Sequence, residues 1–396
     1  MARVLIGCEA EAPAGALIDA VVLGARLEAA GHAVTYAAAD PAGLAQLAGG
    51  AIATPILPAP SVLYAASARA RAAVVGGLGD LMALAGYESA PRLIALARSW
   101  AALLDLAAPD VVVGLDAPVL WLAAAARRPT MAVGDRFTLP PVEVATRVRL
   151  SPDLPPVASI ADMLANANAA LDAIGGAKLA ALDDILGRCA VVVHGPAQLD
   201  PYLALRGGLP SSTIGAAPAA AFPPVRGALA AALDARCPEI DNVVVALCGL
   251  GDIRIDAFVA GGSATMDRFL AATPGLRAHG DVASWLAALP GTGAVLHHGV
   301  GAIAARALIG GLPQLVLPWR SGQRLVGETL VALGCGVVEG PGAPVEQLVE
   351  TFRGIAGDGA RYVAARHHAE RVALAPPVDA ADAVVAEVAR LAMAAR

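Results

Sequence analysis

Residues Ala294 to Glu339 read AVLHHGVGAIAARALIGGLPQLVLPWRSGQRLVGETLVALGCGVVE. The order of residue types predicts strand, glycine turn, helix, strand, proline turn, helix and strand. Short apolar runs bounded by Gly and Pro alternate with longer stretches of helix formers. The turn after the first strand holds His297, His298, Gly299, Val300 and Gly301 at the head of a helix. N–H groups at a helix start lack intrahelical acceptors and form the positive end of the helix dipole. Such a turn is a site for an anion, usually a phosphate.

The same alternation extends outward from this stretch. Arg3 to Gly7 is a short buried-type strand, followed by a loop from Cys8 to Gly15 and a helix from Ala16 to Ala30. Gly31 stops that helix and the run Ala33 to Ala37 restarts a strand. Further strands are expected at Pro109–Gly114, Thr130–Val133 and Ala190–Val193, with a helix at Pro118–Arg127. Short apolar strands alternating with helices predict an α/β chain with doubly wound parallel sheets. The proline-rich stretch Leu139–Pro156 interrupts the pattern. A second series opens with an alanine-rich helix at Arg226–Ala235 and a strand at Asn242–Leu247, with a turn at Gly249-Leu250-Gly251. From Gly249 to His297 the chain is short for strand–helix–strand–helix–strand, so an abbreviated element is expected there. The domains expected are 1–215, a linker at 216–225, 226–375, and a C-terminal helix at 376–396 packing back on the first domain.

At 396 residues the chain can hold two cores. Its 57% apolar content is carried largely by alanine, and no window approaches ~18 uninterrupted apolar residues, so no membrane span is expected. A net charge of −6 without a dense basic run argues against nucleic acid as a partner. Five scattered cysteines have neither zinc nor disulfide spacing, and the N-terminus lacks the pattern of a secretory signal. A cytoplasmic location is the expectation that follows.

The paired histidines, the strand end Leu-Pro-Gln-Leu-Val-Leu-Pro and Gln323 resemble the donor motif of nucleotide-sugar glycosyltransferases with the GT-B fold. The resemblance is closest to bacterial enzymes of natural-product biosynthesis and runs over nearly the whole chain. It implies two Rossmann-like domains facing a cleft, the second binding the donor. By position it assigns His297 to a diphosphate oxygen, with close backbone approach at Gly299, Val300, Gly301 and Ala302. Val282 lies where the family passes the nucleotide base, with Trp285 beside it, and Gly249 joins the donor set. Gly322 and Gln323 stand where an acidic residue and glutamine hold the sugar. The carboxylate is therefore missing, with Arg320, Arg324 and Asp252 as candidate substitutes. Ile303 and Ala304 replace the usual threonines. These departures point to a donor such as a deoxysugar, to a non-catalytic relative that binds a ligand or partner, or to a GT-B enzyme with other chemistry, such as an epimerase or hydrolase. The resemblance implies an inverting, metal-independent transfer from a nucleoside-diphosphate sugar, UDP or dTDP ahead of GDP, to a small-molecule acceptor. No other cofactor is implied, and homodimerisation is left open.

The family's base is a histidine at the head of the first helix, oriented by an aspartate further along. Here Ala16 occupies the histidine position, behind Gly15. Asp116, after the strand Val111–Gly114, matches the aspartate. Ligands of such sheets bind at the carboxyl ends of the strands. The candidates for the base are therefore Asp116, then Glu11 and Glu9, then Asp19. Asp135 and Arg136 read as a local ion pair. His194, at a strand end, reads as a packing or capping residue. Cys8 has no neighbouring histidine to activate it.

Overall fold

Most of the valine- and leucine-rich runs become strands in a computed structural model that describes residues 1–9, 14–50, 52–60, 75–150, 153, 155–207, 212–215, 221–223, 225–374 and 378–394. Two compact units result. The first comprises residues 1–44, 52–215 and 379–396, and the second residues 45–51 and 216–378.

The first unit opens with β1 (Arg3–Cys8), α1 (Ala14–Ala29), β2 (Ala33–Ala38), α2 (Pro41–Ala48) and β3 (Ile56–Pro58). It continues through α3 (Leu78–Met82), α4 (Ala90–Ala107), β4 (Val111–Leu115), α5 (Pro118–Ala125) and β5 (Thr130–Asp135). Then come α6 (Ile160–Ala173), α7 (Asp184–Gly187), β6 (Ala190–His194) and β7 (Ser212–Thr213). Its main sheet is parallel in the order β3-β2-β1-β4-β5-β6. Gly7 on β1 and Gly114 on β4 are register partners, and α5 rests on both. A Cβ on Gly7 would meet Leu120 at 2.2 Å, and one on Gly114 would meet the Trp121 indole at 2.4 Å. Glycine thus brings α5 close to the sheet, where Trp121 Nε1 donates to Gly114 O. From Leu78 the chain is helical and passes into a π-helical turn, Ala83–Tyr87.

The second unit repeats the plan. Its elements are β8 (Ala228–Asp234), α8 (Ile240–Cys248), β9 (Arg254–Ala260), α9 (Ala264–Ala271), β10 (Leu276–His279) and α10 (Val282–Ala288). They continue as β11 (Ala294–His297), α11 (Gly301–Gly310), β12 (Gln314–Val316), α12 (Ser321–Ala332), β13 (Gly336–Val338), α13 (Val345–Gly357) and α14 (Gly359–Leu374). The sheet is parallel in the order β10-β9-β8-β11-β12-β13. After β14 (Val378–Asp379), α15 (Ala380–Ala394) packs on α1 and β6. No described helix is long and apolar enough to cross a membrane.

Two expectations are corrected here. Ala228–Asp234 is a strand and Ile240–Cys248 a helix, the reverse of the sequence reading. Alanine and leucine favour helix in isolation. Yet every residue of β8 is buried and paired on both sides, where small side chains suit a central strand covered on both faces. In α8 the valines lie on a helical period, with Ile240, Val243, Val244 and Leu247 buried. The abbreviated element is also absent. The stretch from β9 to β11 holds the full strand–helix–strand–helix–strand, built from short pieces.

Candidate functional site

In doubly wound sheets the carboxyl edge, at the point where strand order reverses, is the ligand edge. The second unit places the β11–α11 turn there. Gly299 adopts φ 87, and a Cβ on it would stand 2.4 Å from the Gln323 carbonyl. Only glycine lets the turn close against the first turn of α12.

His297 is fully buried, and both its ring nitrogens are engaged. Nδ1 accepts from the N–H groups of Gly299 at 3.0 Å and Val300 at 3.3 Å. That fixes the proton on Nε2, which donates to Gln314 Oε1 at 3.0 Å. Gln314 in turn donates to Ala304 O at 3.1 Å. Burial, ahead of every other influence, pushes the His297 pKa down to about 4, so the ring is neutral. The expected contact between His297 and a diphosphate is therefore corrected. This ring braces the turn and occupies the amides of Gly299 and Val300 as well. Gly301 and Ala302 lead the first turn of α11, where amides lack intrahelical acceptors.

His298 is the open member of the pair. It is 1% exposed and donates from Nδ1 to Leu317 O at 2.8 Å. Its Nε2 is buried without a partner. Burial holds its pKa below the ordinary value, against smaller upward pulls from the Leu317 carbonyl and then Asp234.

Gln323 is 7% exposed, and its Oε1 accepts from the N–H groups of Trp319 and Arg320, both at 3.0 Å. It caps α12 through Oε1. A Cβ on exposed Gly322 would meet open space. The Arg320 guanidinium lies 4.2 Å from the Trp319 ring centre. Val282 starts α10 after β10, on the same carboxyl edge. Trp285 is core, with Nε1 donating to Asp256 O at 3.1 Å. Gly249 caps the C-terminus of α8, so it sits at the opposite edge of the sheet and leaves the donor set. Asp252 lies in that same connection, paired with Arg353.

The first unit gathers charge at its own carboxyl edge. Asp116 follows β4 at φ 46, a conformation Asp tolerates better than most non-glycine residues. Its Oδ1 is buried without a partner. Burial and then Asp135 push its carboxyl up to about 7, while Thr138 and His194 pull it down. Asp135 Oδ1 accepts from the N–H groups of Phe137 and Thr138. Arg136 turns away from it, corrected from the expected local pair, to Gly195 O and Asp200, both at 2.7 Å.

Glu9 is 4% exposed, with its carboxylate on the N–H groups of Val119 at 2.9 Å and Leu120 at 2.5 Å. Burial pushes it up to about 8 against the pull of those amides. It anchors the start of α5, and both oxygens are engaged, which corrects its candidacy as a base. Glu11 lies outside the described residues. Cys8 is buried, and burial with Asp116, Asp19 and Glu9 raises its thiol far above the ordinary range, so it is no nucleophile.

Asp19, last among the base candidates, and His194, read as a packing or capping residue, are brought together. His194 Nε2 stands 3.2 Å from Asp19 Oδ2, and both residues are 4% exposed. Burial lowers the His194 pKa, but Asp19 and then Asp135 and Asp116 carry it above its ordinary value. Only the position of His194 at a strand end hinted at this. Among the described residues no group of three His, Cys, Asp or Glu could hold a metal ion.

No protein-family model and no curated relative matches the chain. Solved structures do. Glycosyltransferase VinC in complex with dTDP is 19% identical with a TM-score of 0.61, covering 99% of this chain and 100% of that one. SsfS6 of Streptomyces sp. SF2575, complexed with thymidine diphosphate, is 17% identical at a TM-score of 0.62, with 98% and 100% covered. Spinosyn rhamnosyltransferase SpnG complexed with spinosyn aglycone is 18% identical at 0.60, again with 98% and 100% covered. These neighbours are GT-B glycosyltransferases of natural-product biosynthesis, and the fold of this chain is theirs.

Proposed function

We propose that the chain is an inverting glycosyltransferase acting on a small natural-product acceptor. The observation that carries this reading is the β11–α11 turn. It combines a buried, unpartnered His298 Nε2 with the start of α11 at the point where strand order reverses. The fold is shared with proteins crystallised with thymidine diphosphate and with an aglycone. In this reading the amides of Gly301 and Ala302 and the His298 imidazolium hold the diphosphate. The diphosphate charge raises the His298 pKa that burial lowers, so the ring takes up a proton as the nucleotide binds. These groups and the helix dipole stabilise the leaving charge, so no metal is required.

The acceptor's nucleophilic atom attacks the anomeric carbon opposite the diphosphate. The bond from that carbon to the diphosphate oxygen breaks, its electron pair leaves with the diphosphate, and the acceptor proton passes to a base in the first unit. Gly322 leaves the sugar without the family's carboxylate, which favours a deoxysugar on dTDP or UDP over an ordinary hexose. Calorimetric titration with dTDP, UDP and GDP tests the reading. dTDP or UDP is expected to bind ahead of GDP, with an apparent heat that changes with the ionisation enthalpy of the buffer. Absence of binding by all three would overturn it.

A further inference from the structure

Ala16 leaves α1 without the base expected there, yet one turn further along the same helix Asp19 meets a histidine from the far end of the sheet. We infer that His194, oriented by Asp19, is the group that takes the acceptor's proton, resting on the transferase reading above.

His194 is the last residue of β6, and β5 pairs with β6 so that Asp135 is its register partner. Asp116 stands at the end of β4, the next strand along. Cys8 and Glu9 close β1. A single histidine thus stands at an edge carrying Asp19, Asp116, Asp135 and Glu9. The neighbouring cation is committed elsewhere, since Arg136 is held by Gly195 O and by Asp200, which Arg206 also binds. From α15, also packed on α1 and β6, Asp382 is exposed and Glu387 is bound to Arg390. Among the described residues, the charges acting on His194 and Asp116 are those of Asp19, Asp116, Asp135 and His194 themselves, with no lysine or arginine among them.

The chemistry follows from that placement. A buried carboxylate–histidine pair is unfavourable to stability unless well compensated. Uncompensated ionisable groups at a ligand edge are characteristic of functional sites. Carboxylate beside imidazole is the arrangement that fixes the ring's tautomer and stabilises the imidazolium formed on proton uptake. Glu9 is excluded because both its oxygens hold the start of α5. Asp19 is a positioning residue, and Asp116 adds to the field that makes imidazolium favourable.

The test uses the full chain and needs no knowledge of the natural acceptor. With dTDP-glucose or UDP-glucose and water as acceptor, release of nucleoside diphosphate is followed over pH. His194→Gln is expected to lower kcat by ~10²–10⁴-fold with dTDP affinity unchanged. Asp19→Asn is expected to lower kcat less and to move the acid limb of the kcat profile to lower pH, because the ring loses its neighbouring negative charge. The second variant keeps the test decisive if the first does not fold. A His194→Gln kcat within about threefold of the parent, or an acid limb unmoved in Asp19→Asn, would overturn the assignment while leaving the transferase reading intact. A parent that binds no nucleoside diphosphate would overturn that reading and this one together.

Discussion

In the second unit the turn after β11 is neutral and internally bonded, with His297 held near a pKa of about 4 and its proton fixed on Nε2 by two backbone donors and Gln314. In the first unit, built on the same strand order, the carboxyl edge holds Asp116 raised to about 7, Glu9 raised to about 8 and His194 paired with Asp19. One edge offers donors to an anion and the other offers acceptors to a proton. A single sheet topology therefore carries two opposite electrostatic preparations, and side-chain choice at a few strand ends selects between them.

The comparison can be broken most sharply at Gly299. Gly299→Ala forces both a left-handed φ on alanine and a Cβ into the Gln323 backbone, and is expected to cost roughly 3 kcal/mol or more. Denaturant unfolding reads it. A change below about 1 kcal/mol would mean that the turn has room to relax.

Acid should separate the units. The folded pKa of His297 lies below its ordinary 6.5, so its stability contribution is present above that pH and lost on acidification towards about 4. That amounts to roughly 3 kcal/mol across the window. Asp116 and Glu9 have folded pKa values above their ordinary 3.8 and 4.5, so the first unit is destabilised as pH rises through about 7 to 8. Amide exchange should show β11 losing protection between pH 6.5 and 4 while β4 gains it between pH 8 and 5. Parallel behaviour of both sheets would refute the contrast.

Asp116→Asn is expected to reduce turnover by roughly tenfold, less than His194→Gln, because it removes one charge that favours the imidazolium rather than the base itself. It should also make the first unit more stable at pH 8, with the gain shrinking towards pH 5 as the parent carboxyl protonates. A variant as active as the parent would remove Asp116 from the mechanism. The smallest effect is expected at Gly322→Asp, where the added side chain meets open space. Stability should stay within ~0.5 kcal/mol. The KM for a hexose donor should fall roughly tenfold as a charged acceptor returns. An unchanged KM would mean that the sugar end lies elsewhere.

Much of the architecture was legible because period and punctuation are local. The run from His297 to Gly301 announces a strand–turn–helix without any partner being known. Ala228–Asp234 was misread because alanine's own preference is helical, and only its two neighbouring strands make it β. At the site, the sequence displays residue types but not which nitrogen is already bonded. His297 looked like a ligand contact, but both its ring nitrogens brace the turn, and Gln323 spends its Oε1 on capping α12. The pairing of Asp19 with His194 was invisible because α1 and β6 are distant in sequence and meet only through the fold.

The close approach of Gly299 to Gln323 has a consequence for recombination among proteins of this fold. The space a side chain would fill in one loop is occupied by the backbone of the next, so the two loops form a single interlocking part. Grafting the 297–301 turn from a relative into this chain without its 319–323 partner would import half of a joint. The two loops are therefore transferable in such chimeras only as a pair, with Gln314 carried along as the peg that holds His297 in place.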